Sequence, residues 1–279
     1  MKLKNKLQSF TSQNRGLLAT NFYNLETLQG VLRAAADLNE PLILQLTQSS
    51  IDYMGLDTAV ALGRAGLKEF GVEGWIHLDH GGSVELAQRC LDAGFDSVMI
   101  DGSELPFEEN VKITAEVVKR ARKYGAHVEA ELGYVAKLGQ SHESQGFTQP
   151  EEAKRFVEET GIDALAVAIG TAHGFYKSEP ELQLDLLSEI ANTCSSTLVL
   201  HGGSGVPAKQ LQAAISRGIC KVNLATEIKN IFMKTLQQQL RDNEEIDLRK
   251  VFPVATGEIT RLVKTKLEIV KNNKLTEVA

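Results

Sequence analysis

Three histidines close three apolar runs: His80 ends WIHLDH before Gly81-Gly82, His173 ends ALAVAIGTAH, and His201 ends TLVLH before Gly202-Gly203. One histidine at a strand end is as readily an interior residue bonded to its neighbours as a ligand. Three, at the ends of strands that helical segments separate, converge on one point if the strands run parallel. Neutral imidazoles in a group of three bind zinc and leave one coordination position open for substrate. Asp79 adjoins His80 and could ligate, orient a ligand, transfer a proton or cap the helix that starts near Ser83. His77 lies two residues before Asp79. Side chains alternate along a strand, so the two share a face if the strand runs through them. His77 itself reads best as an interior histidine.

An anion site follows two of these histidines. His201 precedes Gly202-Gly203-Ser204-Gly205 and then Pro207, which opens a helix. A glycine-rich turn feeding a helix N-terminus offers several free N–H groups, the requirement for binding phosphate. Asn223 ends a later strand and Thr226 starts the next helix. Lys177, four residues after His173, could add a cation. The segment 133–148 (GYVAKLGQSHESQGFT) is a long polar loop; loops of that length are functional lids or disordered insertions.

These residues need a scaffold that brings strand ends together. Eight strands are expected at Leu17–Asn21, Pro41–Thr47, Trp75–Asp79, Ser97–Asp101, His127–Leu132, Ala164–Ile169, Thr197–His201 and Ile219–Asn223. Amphipathic segments alternate with them. Leu25–Leu38 repeats apolar residues every three or four positions behind Asn24, a start signal. The segments 83–93, 108–124, 150–160 and 207–217 each end at a glycine; 226–240 and 256–271 finish the chain. Eight βα repeats in 279 residues predict a (β/α)8 TIM barrel in a single domain, 1–279, rather than an open doubly wound sheet. Thr47, Asp79, Asp101, Glu131, His173, His201 and Asn223 all sit at or just beyond strand C-termini, where barrels carry their chemistry. An open sheet would gather them near one switch point.

Composition narrows the function classes. Hydrophobic residues make up 43%, and the formal net charge is −6, which argues against a nucleic-acid partner. Cys90, Cys194 and Cys220 form no CxxC, as expected of a reducing cytoplasm. The basic N-terminus MKLKNKLQSFTSQ has no following apolar run and does not read as a signal peptide. No apolar stretch is long enough to span a membrane.

The motifs HLDHG, EAELG, GTAHGFYKSEP, LVLHGGSGVP and KVNLATE resemble, in order and spacing, those of the class II zinc-dependent ketose-bisphosphate aldolases, the fructose- and tagatose-1,6-bisphosphate enzymes. The resemblance covers nearly the whole chain. It implies His80, His173 and His201 as zinc ligands and Asp79 as the acid/base for the C4 hydroxyl. Glu131 is implied as a carboxylate near the metal, an alternative ligand. It implies Gly174, Lys177, Gly202, Gly203, Ser204, Asn223, Leu224, Ala225 and Thr226 as the site of the dihydroxyacetone-phosphate moiety, a monovalent cation (Na+ or K+) nearby, and a homodimer or homotetramer. Two departures stand out. The family follows ELG with Gly-Gly and acids, one of which shuttles the C3 proton; here the loop has no acid at the matching place, and Glu143 is the nearest substitute. The family's serine after the second strand is Thr47 here. The expected activity is reversible aldol cleavage of a phosphorylated ketose to dihydroxyacetone phosphate and an aldehyde. Alternatives are a barrel aldolase with a different aldehyde partner and a sugar-phosphate-binding or assembly subunit with little turnover. A metal-dependent hydrolase on the same scaffold would begin with a His-x-His pair on the first strand, which LLATN lacks.

Overall fold

The computed structural model describes residues 1–133, 135–137, 146–174, 176, 178–241 and 243–271. Its strands are β1 (Leu17–Asn21), β2 (Leu42–Leu46), β3 (Gly74–Gly81), β4 (Ser97–Ile100), β5 (His127–Leu132), β6 (Ala136–Lys137), β7 (Ala164–Val167), β8 (Ala172–His173), β9 (Thr197–Leu200) and β10 (Ile219–Leu224). Eight of them close into a parallel barrel in the order β1-β2-β3-β4-β5-β7-β9-β10, with β10 returning to β1. The short strands β6 and β8 pair with each other in parallel, Ala136 to Ala172 and Lys137 to His173. The helices between strands are α2 (Leu25–Leu38), α3 (Gln48–Met54), α4 (Leu56–Phe70), α5 (Val84–Asp92), α6 (Phe107–Ala121), α7 (Pro150–Thr160), α8 (Leu184–Thr193) and α9 (Ala208–Ser216). Helix α1 (Leu3–Ser12) precedes β1, and α10 (Thr226–Gln239) and α11 (Leu248–Lys271) follow β10. None of the described helices is long and apolar enough to cross a membrane.

The expected barrel is present, and strand parity explains how it is filled. Leu42, Leu44, Leu46, Ile76, Leu78, Val98, Ile100, Leu165 and Val167 point outward into the main core under the helices. The alternate residues point inward. Leu17, Ile43, Trp75 and Cys220 form a second apolar cluster with Leu3, Leu7 and Phe10 of α1, which plugs the N-terminal end. The N-terminal segment is therefore an amphipathic helix whose apolar residues recur every three or four positions. Towards the other end the inward positions become polar: His77, Asp79, Glu129, Glu131, His201, Lys221 and Asn223 are all buried.

Local chemistry sets the helix starts. The Asn24 side chain accepts from Thr27 N–H, and Thr27 Oγ1 accepts from Asn24 N–H, a reciprocal box at the head of α2. Ser83 accepts from Leu86 N–H at the head of α5, and Thr47 from Ser50 N–H at the head of α3. Helix α11 starts at Leu248, eight residues before the expected Thr256, and carries Pro253 inside it. A proline there forfeits one backbone hydrogen bond. The extension persists because Val251 is buried and the Phe252 ring meets Phe232 edge-on at 6.3 Å.

Candidate metal centre and substrate site

The barrel brings the three strand-end histidines together. The rings of His80 and His201 lie 4.7 Å apart, His80 and His173 4.8 Å, and His173 and His201 5.8 Å, all nearly perpendicular. One ligand atom from each lies within 4.8 Å of the others. Different backbone devices deliver them. His201 follows β9 and points inward by parity. His80 lies in β3 where the register with β4 shifts between Leu78 and Gly81. Its φ of +50° is rare outside glycine. The irregularity turns the His80 ring to the mouth instead of the outer shell that its parity would give it. A Cβ on the next residue, Gly81, would sit 2.5 Å from Met99 O, so only glycine lets β3 lie this close to β4. His173 lies in β8, beyond the barrel, and is held from the other side. Tyr176 Oη accepts from Ala172 N–H (2.8 Å) and donates to Gly202 O (2.9 Å), tying this segment to the turn after His201. Gly202 has φ +67°, and a Cβ there would meet Ala172 O at 2.5 Å.

Carboxylates hold the outer ring nitrogens. His80 Nδ1 bonds Asp101 Oδ2 at 2.7 Å, and His201 Nε2 bonds Glu129 Oε1 at 2.9 Å. The remaining nitrogens, His80 Nε2 and His201 Nδ1, face each other across 2.9 Å. Glu131 Oε2 is 3.5 Å from His201 Nδ1 and is buried with no hydrogen-bond partner among the described residues. Imidazoles gripped from behind by carboxylates, with their other ring nitrogens converging beside a buried carboxylate oxygen, are the donor set of a divalent metal site. His80, Asp101 and Glu131 form a second, overlapping group of potential ligands.

The electrostatics agree. Burial, together with the charge of its histidine neighbours, pulls His173 down to about 3, so it is neutral and ready to ligate. Burial also works against a charge on His80, yet Asp79, Asp101 and Glu131 lift it to about 9. The field that would keep a proton there is a field for a cation. Burial and the nearby Asp101 raise Glu131 to about 8. Asp79 is also buried, but His80, His201, Lys221 and His77 outweigh the burial cost and hold it ionised below its usual range. Its carboxylate accepts from Asn21 Nδ2 (3.1 Å), Gln45 Nε2 (3.2 Å) and Asn223 Nδ2 (3.3 Å).

Two hollows flank the histidines. A small one is lined by Gly174, Gly202, Ser204, Asn223, Ala225 and Thr226 together with Asn21, Asp79, His80 and His173. It lies at the start of α10, where the N-cap residue Ala225 supplies no side-chain cap. On the other side, Thr47, Ser49, Asp101, Ser103 and Glu131 line an open cleft of about 440 Å³ that reaches His80 and His173. Of the residues expected at the anion site, Gly203 donates its N–H to Asn223 O at 3.1 Å and Leu224 is buried in the helix-side core. Neither lines the small hollow. Lys177 and Glu143 lie outside the described residues. Of the long loop, Ala136–Lys137 forms β6, and Thr148 re-anchors the chain by accepting from Ala168 N–H at 2.8 Å.

Several residues at the site went without a role in the sequence reading. Asn21 and Gln45 hold Asp79, Asp101 and Glu129 back the histidines, and Lys221 pairs with Glu129 at 2.7 Å. A signal existed for two of them: Glu129 and Lys221 are charged residues inside apolar strand runs, in phase with Glu131 and Asn223.

The chain matches the model of the family "Fructose-bisphosphate aldolase class-II" over residues 1–274. It is 42% identical over 246 residues to the D-tagatose-1,6-bisphosphate aldolase subunit GatY of Klebsiella oxytoca, covering 87% of each chain. Among solved structures, the YdjI aldolase of Escherichia coli K12 superposes with a TM-score of 0.87 at 29% identity, over 99% of this chain and 98% of that one. A putative fructose-1,6-bisphosphate aldolase of Coccidioides immitis gives 0.87 at 26% identity, over 96% of both chains. The chain therefore belongs to the class II fructose-bisphosphate aldolase family and is an aldolase, a carbon–carbon lyase that reversibly cleaves ketose bisphosphates.

Proposed function

We propose that this aldolase is zinc-dependent, that His80, His173 and His201 hold the zinc, and that Asp79 is its acid/base. The observation that carries the reading is the convergence of three imidazoles, two of them gripped from behind by carboxylates, beside an ionised Asp79. When bound, zinc supplies Lewis-acid polarisation of the substrate's carbonyl and the charge that balances the carbanion left by C–C cleavage. Asp79 accepts the C4 hydroxyl proton as the C3–C4 bond breaks and returns it in condensation. Three amides fix its orientation, while Oδ2 receives only one of their hydrogen bonds and keeps a lone pair for the proton. The small hollow takes the phosphate of the dihydroxyacetone-phosphate half at the N-terminus of α10, whose dipole favours an anion. Ser204 Oγ already receives Glu227 N–H there, at 3.4 Å. Lys177 is assigned to the same phosphate on sequence grounds, with a monovalent cation beside it. The larger cleft receives the aldehyde half, with Thr47 on its wall. Glu143 is assigned to the C3 proton, also on sequence grounds.

The likeness to a tagatose-1,6-bisphosphate aldolase subunit makes tagatose 1,6-bisphosphate the first substrate to try. The exposed apolar side chains Met233, Leu240, Ile246 and Leu248 support assembly into a homodimer or homotetramer, and we place the enzyme in the cytoplasm. The test is a coupled triose-phosphate assay of purified protein over fructose and tagatose bisphosphates and their monophosphates. Turnover of a bisphosphate is expected. Binding without turnover of any of them, in zinc-loaded protein, would favour a non-catalytic subunit.

A further inference from the structure

An ion pair lies below the candidate metal centre, sealed inside the barrel. Glu129 of β5 and Lys221 of β10 meet at 2.7 Å, with side chains about 1% exposed. The layer beneath holds Leu17, Ile43 and Trp75. Apolar filling of the Glu129 and Lys221 positions would stabilise the barrel at least as well, because removing two charges from water costs about as much as their attraction returns. The pair is explained by what its carboxylate touches.

We propose that Glu129 and Lys221 are positioning residues that set the tautomer and direction of His201 for the metal. Glu129 Oε1 lies 2.9 Å from His201 Nε2, and Oε2 is occupied by Lys221 Nζ. A carboxylate only accepts, so His201 Nε2 must carry the proton. Nδ1 is then the bare nitrogen, and it is the atom that faces His80 Nε2. Asn223 Nδ2 also lies 3.1 Å from His201 Nε2. If that nitrogen accepted from Asn223 instead, its lone pair and the Glu129 carboxylate would face each other unpaired. The Asn223 amide has another acceptor in Asp79 Oδ1. Lys221 Nζ, donating to Oε2, keeps the carboxylate in place. A second donation orients the lysine from behind: its Nζ is 3.3 Å from His77 Nε2, and His77 Nδ1 bonds Ser97 Oγ at 2.8 Å. Among the described ligand supports this one is sealed from water, whereas the Asp101 side chain behind His80 is 25% exposed. Removing the sealed carboxylate leaves His201 with no water to replace it.

The inference rests on the reading of His201 as a metal ligand. Its test uses the full chain with Glu129→Leu/Lys221→Met as a double change, which removes both charges and the acceptor together and leaves no uncompensated ion. Far-UV circular dichroism and thermal unfolding of the metal-free protein report the fold. Competition with a chromogenic chelator gives the zinc dissociation constant, and the visible spectrum of the cobalt(II)-loaded protein reports ligand geometry. The expected result is a folded variant whose zinc dissociation constant rises about 10–100-fold, with a shifted cobalt band. A folded variant with wild-type zinc affinity and an unchanged cobalt spectrum would overturn the proposal and leave the ligand assignment standing. Wild-type protein that binds no zinc would overturn both. Should the variant fail to fold, imidazole nitrogen NMR of the zinc-loaded wild type decides. A proton on His201 Nε2 supports the proposal, and a proton on Nδ1 refutes it.

Discussion

At the scale of residues, the site is a set of assigned protons. Asp101 and Glu129 take the outer nitrogens of His80 and His201, so the inner ones are turned towards each other. Asp79 is buried yet ionised because cationic and polar neighbours surround it, and three amides fix its orientation. Replacing Asp79 by Ala removes the proposed proton acceptor without touching an imidazole. Turnover should fall about 10²- to 10⁴-fold, while the zinc content of the purified protein stays at the wild-type level. Turnover within a factor of a few of wild type would remove Asp79 from the role given to it. Parts of this arrangement were legible in the chain: the histidines, Asp79 and the glycine turn all stand where apolar runs stop. Asp101 was visible as a strand-end carboxylate but its partner was not, since their contact depends on the positive φ of His80. Glu129 and Lys221 lie in mid-strand with no loop motif beside them, and only parity could have singled them out.

At the scale of elements, the centre is built where backbones come close. The His173 segment and the turn after His201 touch at Gly202 and are pinned by Tyr176. Gly202→Ala would place a methyl 2.5 Å from Ala172 O in a left-handed backbone conformation. We expect a loss of about 2 kcal/mol in stability and zinc that exchanges faster, read by chelator competition. Zinc release at the wild-type rate would show that this contact does not position His173. The eight barrel strands and most helices could be located in the sequence because their periods are clean and their ends are marked by Ser83, Pro150 and the glycines. Four helices, α1, α3, α4 and α8, were harder to see. Helix α1 has ten residues and no side-chain cap, and its apolar face matters only as a plug for the barrel. Gly63 and Gly66 weaken the helical signal of α4, although Gly66 lies against Leu28 and Leu32 of α2, where a Cβ would crowd their side chains. Helix α8 starts without a side-chain cap.

At the scale of the whole molecule, the barrel holds apolar residues at one end and titratable ones towards the other. This gradient has a consequence for stability. Burial pulls His127 down to about 4 against the opposing pull of Asp163 and Glu129, and pulls His77, beside Lys221, to about 3. The unfolded chain takes up these protons near pH 6.5, whereas the folded one refuses them until pH 4 or 3. Their contribution is therefore complete above pH 6.5 and shrinks as pH falls below it. For His127 alone the loss between pH 6.5 and pH 5 is about 2 kcal/mol. Metal-free protein should melt at a steadily lower temperature across that interval, and His127→Asn should flatten the slope. Equal slopes for the two proteins would mean that His127 takes up its proton in the folded barrel as easily as in the unfolded chain.

We propose that carbon–carbon cleavage depends on a metal held by His80, His173 and His201. The most direct measurement is triose-phosphate release from a ketose bisphosphate before and after exhaustive treatment with a strong chelator, with borohydride added alongside substrate in a parallel sample. Cleavage should disappear with the metal, return on adding zinc, and leave no borohydride-trapped adduct on the protein. Full activity after complete metal removal, or a trapped lysine adduct, would contradict the account.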